Sequence, residues 1–163
     1  NSTSTSTIGT DTDTTSTTNT LSNTVSMSVK DGPLRRDLMV VYGSDQTHTI
    51  IKKACMILGV RYRPLPTTAN EQWSLQPNVL LEAIKEDREN GFLPIACIAT
   101  TGTTSSCAFD PVHSLAKVCK ENGNNLWLHI DAAYGGAYSC LPELVSKFTG
   151  INMADSFCVN PKP

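Results

Sequence analysis

Residues 93–131 read LPIACIATTGTTSSCAFDPVHSLAKVCKENGNNLWLHID. Residues 93–100 form an apolar run of strand length, and 101–109 a polar loop. Asp110-Pro111 is a cap-and-first-turn pair, and it opens a helix through Val112, Leu115, Val118 and Cys119 that stops near Gly123. A second apolar run, 126–130, then leads directly into Asp131. Strand, helix and strand in that order make a βαβ unit, whose two strands lie parallel.

Upstream the alternation continues. LMVVY (38–42) is a strand ended by Gly43-Ser44. Ile50, Ile51, Ala54, Ile57 and Leu58 then recur at helical spacing, with Ser44 or Asp45 as the cap and Gly59 as the stop. VRYRPL (60–65) is a strand candidate weakened by Pro64, which cannot donate to a ladder. SLQPNVLLEAIKEDRENG (74–91) is a helix with Pro77 in its first turn, a buried stripe of Leu80, Leu81 and Ile84, and Gly91 at its end. The fold class is therefore α/β, a mainly parallel sheet covered by helices on both faces. In such sheets ligands bind outside the carboxyl ends of the strands. Three polar clusters fall at those ends and are expected to converge: the loop leading to His48, the loop with Gly102, Thr103 and Thr104, and the turn that starts at Asp131.

Composition sets the boundaries. Residues 1–28 are mostly Ser and Thr, too poor in large apolar side chains to offset their ordering entropy. We therefore expect a disordered low-complexity segment over 1–31 and a globular part over 32–163. A net charge of −2 without a basic run excludes nucleic acid and anionic membrane as natural partners. No segment is long and apolar enough to span a bilayer and none has the form of a secretory signal, so a soluble cytoplasmic protein is expected. The six cysteines include no C-x-x-C pair and are expected to be core thiols; with the three histidines they show no metal-ligand spacing.

Asp131 is the candidate that carries chemistry. An aspartate at a strand end commonly caps the next turn. It can also pair with a protonated ring nitrogen, and Ala132, Ala133, Gly135 and Gly136 after it would let a flat ring lie close to the backbone. Pyridoxal phosphate needs such a partner, because its pyridine nitrogen must stay protonated to draw electrons from a breaking bond at the substrate α-carbon. It also needs a lysine, for which Lys162 is the candidate.

Four blocks, YGSDQTH (42–48), IATTGTTSSCAFDP (98–111), LWLHIDAAYGGAYSCLPE (126–143) and ADSFCVNPK (154–162), together resemble the aromatic-L-amino-acid decarboxylase family, the group II pyridoxal-phosphate-dependent decarboxylases, over part of its length. The resemblance implies part of the large domain of the aspartate-aminotransferase-type fold. It implies that His48 stacks on the cofactor ring, Thr104 lies beside the cofactor, Asp131 pairs with the pyridinium, Ala133 lies under the ring, Asn160 helps hold the phosphate and Lys162 forms the Schiff base. It implies an aromatic amino acid substrate of the dopa, tyrosine or tryptophan class, released as the aryl-ethylamine with carbon dioxide, and a homodimer for the complete enzyme. Three readings stay open beside this one: an aromatic aldehyde synthase, a glutamate-type decarboxylase, and an inactive truncated relative acting as a binding module. The last arises because the family block Asn-Pro-His-Lys is here Asn160-Pro161-Lys162-Pro163, with the lysine one residue early.

Overall fold

The computed structural model describes residues 35–121 and 123–161. The expected low-complexity segment and Lys162 lie outside the described residues. Five strands form one sheet: β1 (Met39–Ser44), β2 (Arg61–Leu65), β3 (Leu93–Thr100), β4 (Trp127–Ala132) and β5 (Ser156–Val159). Their order is β2-β1-β3-β4-β5, and every neighbouring pair is parallel. Pro64 sits on the edge strand β2, where its missing N–H costs no ladder bond. Pro94 lies in the interior strand β3 and is accommodated by a register irregularity between Val40 and Val41 of β1.

Three helices connect the strands: α1 (Thr49–Leu58), α2 (Pro77–Glu89) and α3 (Val112–Lys120). α2 and α3 cover one sheet face, over a core that includes Val40, Tyr42, Cys97, Ala99, Leu128 and Ile130 from the strands and Leu80, Ile84, Leu115 and Cys119 from the helices. The buried Tyr42 hydroxyl donates to Asp87 Oδ2 at 2.7 Å, and Arg63 pairs with Asp87 Oδ1 at 2.7 Å, so this buried carboxylate is fully engaged. α1 lies on the opposite face with Cys55 and Ile51 against Val41 and Ile98. The sequence predicts helices on both faces, but on the α1 side the β4–β5 half of the sheet has no helix over it among the described residues.

The helix expected from the spacing of Ile50, Ile51, Ala54, Ile57 and Leu58 is there, with Gly59 as its stop. Most of its apolar residues are exposed: Ile57 is 85% exposed, Ile50, Ala54 and Leu58 are exposed, and only Cys55 is buried. Helical spacing identifies which residues share a face, whereas Ile51 and Cys55, four apart, make the sheet contact. The α1 cap is His48, whose Nδ1 accepts the Ile50 N–H at 3.3 Å, rather than Ser44 or Asp45. Asp110 does not cap α3. Its carboxylate is 1% exposed and accepts the Leu75 N–H at 2.8 Å and the Thr100 N–H at 2.7 Å, tying the approach to α2 to the end of β3. Finally, Cys55, Cys97 and Cys119 are buried thiols and Cys158 is half-buried, but Cys107, in the loop after β3, and Cys140, at the end of a 3-10 helix, are exposed.

Candidate functional site

The sheet reverses its direction of growth at β1: β2 adds on one side, then β3, β4 and β5 on the other. Loops leaving the carboxyl ends of β1 and β3 part to opposite faces there and leave a crevice. The three clusters expected to converge do so in this crevice. A cleft of about 530 Å³ is lined by Gln46 and His48 after β1, Thr100, Gly102, Thr103 and Thr104 at the end of β3 and after it, His129, Asp131 and Ala133 on β4 and its turn, and Cys158 and Asn160 on β5 and after it.

Each loop is held by its own bonds. After β1, Asp45 accepts from the Thr67 hydroxyl at 2.6 Å, and Gln46 N donates to Ser44 Oγ at 3.2 Å, so the chain reaches His48 in a fixed turn. Because Nδ1 of His48 is an acceptor, its neutral ring carries the proton on Nε2. After β3, Thr103 is buried; its hydroxyl accepts the Ala108 N–H at 3.0 Å and lies 2.6 Å from Ser106 Oγ. Thr103 thus shapes the loop, and Thr104 is the exposed hydroxyl of the pair.

Asp131 is anchored through one oxygen. Oδ1 accepts the Ala133 N–H at 3.1 Å and the Cys158 thiol at 3.5 Å. Burial, and then the charge of Asp131, push the Cys158 thiol up from its ordinary range, so it remains a donor. Both bonds use Oδ1, which leaves the lone pairs of Oδ2 to serve a ligand.

The small residues after Asp131 act differently from expectation. A Cβ on Gly135 would meet the Thr101 carbonyl oxygen at 2.3 Å, and one on Gly136 would meet Val159 Cγ2 at 2.7 Å. Ala132 is packed in the core. These three residues bring protein against protein, β4 turn on β3 loop and on β5. Of the small residues, only Ala133 lines the cleft.

His48, Thr104, Asp131, Ala133 and Asn160 therefore share one cleft, as the sequence leads us to expect. The Asn160 N–H donates to the Ala133 carbonyl at 3.3 Å, which fixes the chain as it leaves β5. Lys162 lies two residues further on, outside the described residues. Sequence reasoning passes over His129, Thr100, Gln46 and Cys158 as cleft residues. His129 is within its reach, since residues two apart on a strand share a face and it precedes Asp131 by two. Among the described residues no group of three or more His, Cys, Asp or Glu is placed to hold a metal ion, and no helix is long and apolar enough to cross a membrane.

The profile described as the pyridoxal-dependent decarboxylase conserved domain matches residues 22–163. The chain belongs to this decarboxylase family. It is 44% identical over 125 residues to a tryptophan decarboxylase of Camptotheca acuminata, covering 75% of this chain and 24% of that protein. It is 45% identical over 123 residues to histidine decarboxylase of Mus musculus, covering 76% and 18%, and 42% identical over 125 residues to phenylacetaldehyde synthase of Arabidopsis thaliana, covering 75% and 25%. Among solved structures, Catharanthus roseus tryptophan decarboxylase in complex with L-tryptophan matches with a TM-score of 0.75 at 38% identity, over 80% of this chain and 28% of that one. Oryza sativa TDC with PLP and tryptamine matches with a TM-score of 0.76 at 38% identity, over 80% and 27%. The chain thus spans between about a fifth and just over a quarter of the length of these relatives. The α/β fold expected from the sequence is that of the family's large domain, of which the described sheet is a part.

Proposed function

We propose that this chain supplies the floor of the active site of a pyridoxal-phosphate-dependent decarboxylase acting on an aromatic L-amino acid of the dopa, tyrosine or tryptophan class. The observation that carries the reading is the single cleft holding His48, Thr104, Asp131, Ala133 and Asn160. Its volume of about 530 Å³ suits a small cofactor with its substrate. The donor set suits the cofactor as well, with a carboxylate for a ring nitrogen, an imidazole and a methyl group for the ring faces, and a hydroxyl and an amide for its oxygens.

When bound, pyridoxal phosphate supplies an electron sink for the carboxylate-bearing bond at the α-carbon. The chain's own residues do the rest. Asp131, its carboxylate fixed by Ala133 and Cys158, would hold a proton on the ring nitrogen. His48 offers its Nε2–H toward the cleft while Nδ1 is engaged at the start of α1, so the ring orientation is set by the helix. Ala133 would lie under the ring, Thr104 would donate a hydroxyl, and Asn160 would help hold the phosphate. Lys162 would carry the cofactor covalently. The partner of the complete enzyme is a second copy; the exposed Ile50, Met56, Ile57 and Leu58 of α1 support an additional contact on that side. Six free cysteines suit a reducing compartment, the cytoplasm.

The test is to incubate the purified protein with pyridoxal phosphate and, separately, L-dopa, L-tyrosine, L-tryptophan, L-histidine and L-glutamate, measuring carbon dioxide, amine and aldehyde. Amine and carbon dioxide from an aromatic substrate are expected. Aldehyde in place of amine assigns the synthase reaction named for the Arabidopsis thaliana relative. Release from L-glutamate or L-histidine instead refutes the aromatic assignment. A second reading, a chain that binds the cofactor without turnover, draws on the shortened Asn160-Pro161-Lys162 spacing; cofactor uptake with no product from any substrate assigns it.

A further inference from the structure

β5 touches the cleft through more than Cys158. In register, Ser156 faces His129 and Cys158 faces Asp131. Cys158 donates to Asp131, and Ser156 Oγ lies 2.7 Å from His129 Nδ1. Trp127 Nε1 lies 2.8 Å from the same Ser156 Oγ. Chemistry fixes the direction of this chain at its Trp127 end. An indole N–H can only donate, so Ser156 Oγ accepts from Trp127. The hydroxyl has one proton, and the arrangement that uses every group sends it to His129 Nδ1. An imidazole that accepts at Nδ1 carries its proton on Nε2 when neutral. His129 lines the cleft beside Asp131, whereas Ser156 and Trp127 do not. The ring therefore turns its fixed edge to β5 and its remaining edge to the cleft.

We propose that His129 is a further ligand-binding residue of this site, held by the Trp127–Ser156–His129 chain as an Nε2–H donor next to Asp131, where it takes an acceptor oxygen of the cofactor. This rests on the functional reading above and adds a donor to it. Trp127 is half exposed, and neither it nor Ser156 belongs to the hydrophobic core of the described residues. Their effect falls on the orientation of one ring.

The experiment has two readouts on the 163-residue chain. Ring ¹⁵N shifts of His129 are recorded without ligand at about pH 8, above the ordinary titration range of imidazole. The proton is expected on Nε2 in the wild type, distributed over both nitrogens in Ser156→Ala, and back on Nε2 in Ser156→Thr. Equilibrium dialysis then measures pyridoxal phosphate binding. His129→Phe is expected to weaken it about fivefold, the worth of one neutral hydrogen bond, and Ser156→Ala about twofold, since about half of its rings still carry the Nε2 proton, with Ser156→Thr close to wild type. His129→Gln, which keeps a donor, covers the case in which the phenylalanine variant does not fold. A wild-type proton on Nδ1 overturns the proposal. So does unchanged affinity in Ser156→Ala and His129→Phe when Asp131→Asn loses binding, and in that case the functional reading stands. If the wild type takes up no pyridoxal phosphate, the functional reading fails and the binding role of His129 fails with it, whatever the tautomer.

Discussion

Replacing Asp110 by asparagine should make the protein's stability less sensitive to pH. The carboxylate is buried and accepts two backbone N–H groups, from Leu75 and Thr100. Burial raises its pKa from 3.8 to about 6, against the opposing effect of those two bonds. A group whose folded pKa is raised contributes stability that is fully present below its unfolded pKa and lost as the pH rises through the folded one. For Asp110 the window runs from 3.8 to about 6, and the loss across it is about 3 kcal/mol. An asparagine amide cannot ionise, so the variant escapes that loss. It keeps one acceptor oxygen and leaves one buried N–H unpaired, which costs about 1–3 kcal/mol at every pH. Asp110→Asn should therefore be less stable than wild type near pH 4 and close to it, or above it, at pH 7. Urea unfolding of both proteins at several pH values across the window gives the difference directly. Parallel curves with a constant gap would refute the reasoning, because they would mean that Asp110 ionises in the fold as easily as in water.

Two further substitutions separate packing from chemistry. Gly135→Ala places a methyl 2.3 Å from the Thr101 carbonyl oxygen and must part the β3 and β4 loops. It should cost about 2 kcal/mol or more in thermal unfolding and weaken pyridoxal phosphate binding, whereas Gly59→Ala, with open space around its Cβ, should lose only the strain of a φ of 69° and leave binding unchanged. His48 has two roles that one variant can divide: His48→Ala removes the α1 cap and should cost about 1 kcal/mol. His48→Asn keeps a capping side chain, so it should recover that stability by denaturant titration and still fail to turn over substrate.

The parts of the fold legible in the sequence are those built from long buried runs. β1, β3 and β4 announce themselves because interior parallel strands are apolar on both faces, as in LMVVY and LPIACIAT. β5 is invisible as a strand: it is four residues long, lies at the edge and alternates half-buried with exposed side chains. The burial of α1 escapes the sequence for a related reason, since its spacing records an apolar face without saying what lies against it. The site is legible as a set of strand ends, because topology alone gathers the loops after β1, β3 and β4. What position in the chain does not show are bonds between distant segments. Asp110 looks like a cap until Leu75, thirty-five residues earlier, is placed beside it. Gly135 looks like room for a ring until Thr101 is found against it. The tie from Ser156 to His129 spans twenty-seven residues and exists only once β5 pairs with β4.

The central claim is that the cleft is a pyridoxal phosphate site organised around Asp131. Its most direct test is equilibrium binding of pyridoxal phosphate to the wild type and to Asp131→Asn, which keeps the shape and the Oδ1 bonds but removes the charge proposed to pair with the ring nitrogen. The account predicts saturable binding to the wild type and at least about a tenfold loss in the variant, in line with a charge-assisted hydrogen bond becoming a neutral one. Equal affinity in the two proteins would contradict it.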